Sequence, residues 1–175
     1  MPENIIVIDE GTTSTRTMLF AADGTPLGSA QRELRQHYPG PGLVEHDAAE
    51  IWQATLACTR EMVTQARGAA VAITTQREPI VFWTHKPGAP PPPAFFWEAR
   101  RTAADCAALK QAGHEPLVQD RSGPLLDPYF SGSKIGWALR NWPQLKEAGD
   151  RLAVGTIESW LIFRLTGSVH VSDAT

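Results

Sequence analysis

Cysteine is scarce in this 175-residue chain. Cys58 and Cys106 are the only two, which rules out a disulfide framework, and their separation does not match metal-ligand spacing. Both fall in helical stretches, where buried free thiols are the expectation. Charge of one sign is also lacking: 16 Lys and Arg stand against 19 Asp and Glu, for a net charge of -3. That balance argues against a general binder of nucleic acid or of anionic membranes. No apolar run approaches the length of a membrane span, and no signal peptide precedes Ile5, so the cytoplasm is the expected location. No internal repeat is visible. GxxxxGK[ST] and GxGxxG are both missing, which sets aside the P-loop and the dinucleotide fingerprint. What is present is an ordinary globular composition, 42% hydrophobic and 20% charged, in a chain long enough to bury a core as one domain.

The opening segment carries the most information. Ile5 to Ile8 is an unbroken β-branched run, the pattern of a strand buried on both faces. It ends in Asp9 and Glu10. Gly11, Thr12, Thr13, Ser14 and Arg16 follow, and Thr17 to Phe20 returns as a second strand. Gly11 allows a sharp turn and close approach to a ligand. The hydroxyls and successive backbone amides of such a turn make an anion-binding concavity, and Arg16 can add a charge-assisted bond to phosphate. Asp9 at the strand end suits a hydrated magnesium ion. A plain hairpin with a polar turn fits the same residues.

Further along, Asp23-Gly24 marks a turn, and Leu27 to Gln36 alternates like a more exposed third strand. Tyr38 to Gly42 is a loop. Asp47 starts a helix with Glu50 three residues on, the spacing of a capping box. That helix is expected to end near Arg67-Gly68. Val71 to Ile73 and Ile80 to Trp83 read as strands. Pro90 to Pro93 cannot sit inside a sheet and reads as a surface loop, followed by a short strand at Ala94 to Trp97. Helices are expected over Arg101 to Gln111, Ser131 to Asn141 and Ile157 to Leu165.

Three other places offer polar chemistry. Thr74-Thr75-Gln76-Arg77-Glu78 follows a strand directly, where clefts form in α/β folds. Arg77 can donate to vicinal hydroxyls while Glu78 accepts from them; a surface ion pair is the alternative. Trp97 can wall the carbon side of a polyol or simply pack in the core. Tyr129, in Leu126-Asp127-Pro128-Tyr129-Phe130-Ser131-Gly132-Ser133-Lys134, can present its phenol to a ligand or serve as a half-buried structural residue.

IDEGTTSTR, YPGPGLVEHDAAEIW, ITTQRE, FFWEARRT, LLDPYFSGSK, GTIESWLIFRLTG and HVSDAT occur in that order along the chain. Together they resemble the N-terminal part of the FGGY carbohydrate kinases, and ITTQRE with DPYFSGSK resembles the glycerol kinase branch. The resemblance implies an α/β, actin-like ATPase or ribonuclease-H-like fold, a mixed sheet flanked by helices, with residues 1–175 forming an incomplete N-terminal domain. It implies ATP and Mg2+ as cofactors and transfer of the γ-phosphoryl to a primary hydroxyl of glycerol or a similar small polyol. By similarity, Asp9 is linked to magnesium. Gly11, Thr12, Thr13, Ser14 and Arg16 line the nucleotide phosphates, and Arg77, Glu78, Trp97 and Tyr129 hold the polyol.

The family usually has glutamine at Glu10, asparagine at Thr75, threonine at Pro79, glutamine at Glu98 and aspartate at Ala99. A second carboxylate about 4 Å from a phosphate charge would cost about 4 kcal/mol at an effective dielectric near 20. Adjacent strand residues face opposite ways, so Glu10 is expected to point away from Asp9's side. The resemblance also implies that the catalytic base, an aspartate, lies beyond Thr175 together with a second domain. The isolated chain is therefore expected to be inactive, with Trp97, Tyr129 and Phe130 on a face built for that domain or for a second copy. A non-catalytic polyol- or phosphate-binding module and a degraded relic are the competing expectations.

Overall fold

The computed structural model describes residues 3–84, 94–95 and 100–171. A four-stranded sheet runs in the order β3-β2-β1-β5. Its strands are β1 (Asn4–Glu10), β2 (Ser14–Ala21), β3 (Pro26–Glu33) and β5 (Ala70–Thr75). The first three are antiparallel hairpin neighbours, and β5 pairs parallel to β1, so the sheet is mixed. The crossover that parallel pairing requires is α1 (Ala48–Val63), reached through the two-residue β4 (Glu45–His46).

Alternation along β1 decides which face is covered. Ile6, Ile8 and Glu10 are buried, whereas Ile5 and Val7 are half-buried and Asp9 is exposed. The buried set packs on α1, whose Ile51, Trp52, Thr55, Cys58, Thr59 and Met62 recur at helical spacing. The β-branched run of β1 thus has one covered face and one open face, not the two covered faces that its composition suggests. Strand β6 (Val81–Thr84) is the one that is covered on both sides. It pairs antiparallel with β8 (Leu152–Gly155). Its Val81 and Trp83 join α1 and α6 (Ile157–Thr166), while Phe82 faces Ala138 and Leu145 on α4 (Ser131–Asn141) and α5 (Pro143–Ala148). Among the described residues no helix is long and apolar enough to cross a membrane, and both cysteines are buried free thiols.

Asp47 caps α1, its Oδ1 accepting from Ala49 N at 2.7 Å, a bond worth about 1 kcal/mol. The reciprocal half of the capping box is not made. Glu50 instead accepts from Arg35 N at 3.1 Å and so ties the helix start to the strand before it. The helix stops at Val63, ahead of the Gly68 turn. α2 (Ala103–Gln111) ends before Gly113, and α6 ends at a left-handed Gly167. Strand β7 (Ala94–Phe95) pairs with β4; Phe96, Trp97 and the Pro90–Pro93 loop lie outside the described residues. Five elements carried no sequence signal strong enough to be expected: β4, α3 (Glu115–Ser122), α5, the 3-10 turn Gly149–Arg151 and β8. The two short strands are held by their partners, not by their own composition, and α3 buries no residue.

Gly155 shows how closely β8 and α6 approach. A methyl group there would sit 2.6 Å from Ser159 Cβ and 3.1 Å from the Trp83 ring, contacts that backbone or ring movement alone could relieve. Gly155→Ala is expected to cost about 2 kcal/mol, read as a lower urea midpoint with an unchanged slope. An unshifted midpoint would show that the two elements can part freely.

Candidate active site

The β1–β2 turn is closed by Gly11 N donating to Ser14 O at 3.0 Å, with Thr12 and Thr13 at its tip. A Cβ on Gly11 would fall 3.1 Å from that same Ser14 oxygen, so the tight turn favours glycine for lack of room. Thr13 O accepts from Leu34 N at 2.8 Å, anchoring the tip to the end of β3. Pairing then lays a polar row across the open face of the sheet. Gln31 lies opposite Arg16, Arg16 opposite Asp9, and Asp9 opposite Thr74; all four are exposed. Arg16 donates through Nε and Nη2 to Gln31 Oε1 at 3.0 and 2.8 Å, which ties the guanidinium to β3, opposite the strand that carries Asp9.

Gln76 joins this turn to the next polar segment. Its N donates to Glu10 O at 2.9 Å, its Nε2 donates to Gly11 O at 3.1 Å, and its Oε1 accepts from the Thr12 hydroxyl at 3.0 Å. Arg77 and Glu78 follow immediately. Glu78 Oε2 accepts from Ser131 N at 2.6 Å and from Ser131 Oγ at 2.5 Å. Lys134 donates to the main-chain oxygens of Glu78 and Tyr129 at 2.9 and 2.5 Å. Glu78 and Tyr129 are thereby brought to one place from different segments. Tyr129 is exposed, with its ring edge-on to Phe130 at 5.2 Å, while Phe130 itself is partly buried. A cleft of about 660 Å³ opens beside Glu78, walled by Leu109, Val118, Leu126 and Phe130. Trp97, Glu98 and Ala99 lie outside the described residues.

Beneath the open face lies a buried acid. Glu10 shares the covered side of β1 with Ile6 and Ile8, opposite to Asp9, as alternation requires. Thr55 Oγ1 donates to Glu10 Oε2 at 3.1 Å, while Oε1 has no partner. Burial raises its carboxyl from 4.5 to about 7, against the opposing bonds from Thr15 and Thr55, and Asp9 adds the smallest push. Glu10 faces away from the Asp9 side, as expected, and desolvation is its dominant cost. Next to it, Thr75 Oγ1 donates to Glu158 Oε2 at 3.2 Å.

Residues 4–175 match the N-terminal domain of the FGGY family of carbohydrate kinases. The chain belongs to this family. It is 50% identical to the glycerol kinase of Rhodospirillum rubrum over 98% of its own length and 49% identical to that of Alcanivorax borkumensis. It spans about 36% of the length of each of these relatives. Among solved structures it superposes on Plasmodium falciparum glycerol kinase with ADP at a TM-score of 0.88 and 26% identity. That match covers 97% of this chain and 35% of that one. Gluconate kinase from Lactobacillus acidophilus shares the fold, with a TM-score of 0.81. The fold of this FGGY domain is accordingly the actin-like ATPase fold.

Of the residues singled out in sequence, Asp9, Gly11, Thr12, Thr13, Ser14 and Arg16 form one turn and its flanks. Gln76 hydrogen-bonds that turn and is followed directly by Arg77 and Glu78. Gln31, Gln76, Ser131 and Lys134 carried no assigned role in sequence. The last three sit inside the quoted motifs, so the motifs mark their positions without revealing their partners. Thr55, at helical spacing on α1, gave no sign of facing Glu10.

Proposed function

We propose that this chain is the N-terminal part of an ATP-dependent polyol kinase of the glycerol kinase type. The observation that carries this reading is the Gln76 bridge: the phosphate-type turn is hydrogen-bonded to the strand end that leads into Arg77 and Glu78. That contact supports a nucleotide site and an acceptor site on adjoining backbone.

The donor set suits the ligands. Asp9 is an exposed carboxylate beside a glycine-tightened turn of hydroxyl residues, which fits a hydrated divalent cation that rests mainly on phosphate and water. Among the described residues no three His, Cys, Asp or Glu side chains gather to hold a metal alone. Bound Mg2+ would neutralise charge on the transferring phosphates. Thr12, Thr13, Ser14 and Arg16 orient the phosphates. Arg77 donates to the polyol, and Glu78 and Tyr129 hold its hydroxyls in line, with Trp97 as the apolar wall. In the reaction a primary hydroxyl oxygen of glycerol bonds to the γ-phosphorus and the bond from that phosphorus to the β–γ bridging oxygen breaks. The hydroxyl proton leaves to a general base of the kinase.

Positioning supplies most of the catalysis in phosphoryl transfer, and residues 1–175 supply only part of it. Calorimetry is expected to show glycerol and Mg-ADP binding to the purified chain, while glycerol phosphorylation does not exceed a Thr12→Ala control. Turnover above that control would overturn the half-site account; absence of both binding events would overturn the kinase reading. A binding module that pairs with a separate second half is the reading favoured if both ligands bind without turnover and adding such a half restores it.

A further inference from the structure

Lys134 is fully buried, and its ammonium donates to two main-chain oxygens, those of Glu78 and Tyr129. It also lies 5.7 Å from the Tyr129 ring centre. Glu78 and Asp127 are the charged groups acting on it. Glu78 itself has a φ of 71°, alone among the described non-glycine residues in being positive. Such a conformation persists only where the surroundings enforce it. Both ends of Glu78 are enforced: Lys134 holds its carbonyl, and Ser131 holds Oε2 of its carboxylate through N and Oγ.

Helix α4 has no cap from its own chain start, since Phe130 at the N-cap offers no side-chain bond. Glu78 Oε2 fills that role from outside, where a negative charge favours a helix N-terminus. The two carboxylate oxygens are therefore divided: Oε2 is committed to α4, and Oε1 is left to accept from a ligand hydroxyl.

We propose that Lys134 and Ser131 are positioning residues of the acceptor site, fixing Glu78 Oε1 and the Tyr129 backbone so that a neutral polyol hydroxyl meets a preset acceptor. This rests on the acceptor reading of Arg77, Glu78 and Tyr129. Locking a binding side chain through a supporting shell is what sets the precision of such sites; at metal sites, loss of such a supporting partner costs about tenfold or more, and a loss of the same order is expected here.

The test uses the 175-residue chain titrated separately with glycerol and with Mg-ADP, with thermal unfolding recorded alongside. Ser131→Ala and Lys134→Met are expected to weaken glycerol about tenfold while leaving Mg-ADP affinity unchanged, and Ser131→Thr is expected to restore glycerol affinity. If Lys134→Met does not fold, the Ser131 pair decides. A folded Ser131→Ala chain with wild-type glycerol affinity overturns the proposal, as does an equal loss for both ligands. A wild-type chain that binds Mg-ADP but not glycerol overturns the acceptor reading, and the proposal with it.

Discussion

Glu10→Gln is expected to stabilise the chain by about 3 kcal/mol at pH 8 and to leave it unchanged at pH 4. Glu10 is fully buried, with one oxygen bonded by Thr55 and the other without a partner. Burial raises its carboxyl from 4.5 to about 7. Below pH 4.5 both the folded and the unfolded chain hold the proton, and no penalty arises. As pH rises the unfolded chain ionises first, so stability falls until the folded carboxyl ionises near 7. Above that the penalty is constant. The amide keeps the shape and the acceptor for Thr55 but cannot ionise, so the slope disappears. Urea unfolding of both chains at pH 4, 6 and 8 reads this directly. A wild-type profile flat across that range would show that Glu10 ionises as easily folded as unfolded.

Arg101→Met is expected to cost about 3 kcal/mol or more, through what it leaves behind. Arg101 Nη2 pairs with Glu45 Oε1 at 2.7 Å, with side chains 4% and 15% exposed. The guanidinium also lies 5.0 Å from the Trp137 ring centre, so it joins β4, the start of α2 and α4. Removing it strands the Glu45 carboxylate in a poorly hydrated place. Replacing both partners with methionine removes the stranded charge, and the double variant is expected to regain most of the loss. That pattern separates a buried pair from a surface one, where the single change would cost under about 1 kcal/mol. A double variant no more stable than the single one would assign the loss to packing against Trp137.

How much of this was legible in the chain depends on whether the signal was local. The β1–β2 hairpin, α4 and α6 follow from local residue patterns, with a glycine turning the first and stopping the last, because their determinants lie within a few residues. β8 has only Leu152, Ala153, Val154 and Gly155 to show for itself; its identity comes from pairing with β6, which is distant in sequence. Glu50 had the spacing of a capping box but a better partner in Arg35 N, a tertiary choice that spacing cannot encode. The site was legible in its residue types and opaque in its wiring. Alternation correctly turned Glu10 away from Asp9, yet nothing local indicated that burial would be its main cost. The motifs contained Gln76, Ser131 and Lys134, but only the fold shows which main-chain atoms they hold.

The most direct measurement is an amide-resolved titration of the 15N-labelled chain with Mg-ADP. The account predicts saturable shifts centred on Gly11 to Arg16 and on Gln76, with the Mg2+-dependent part lost in Asp9→Asn. Shifts confined to other segments, or a titration in which residues 9–16 stay unmoved at saturation, would contradict it.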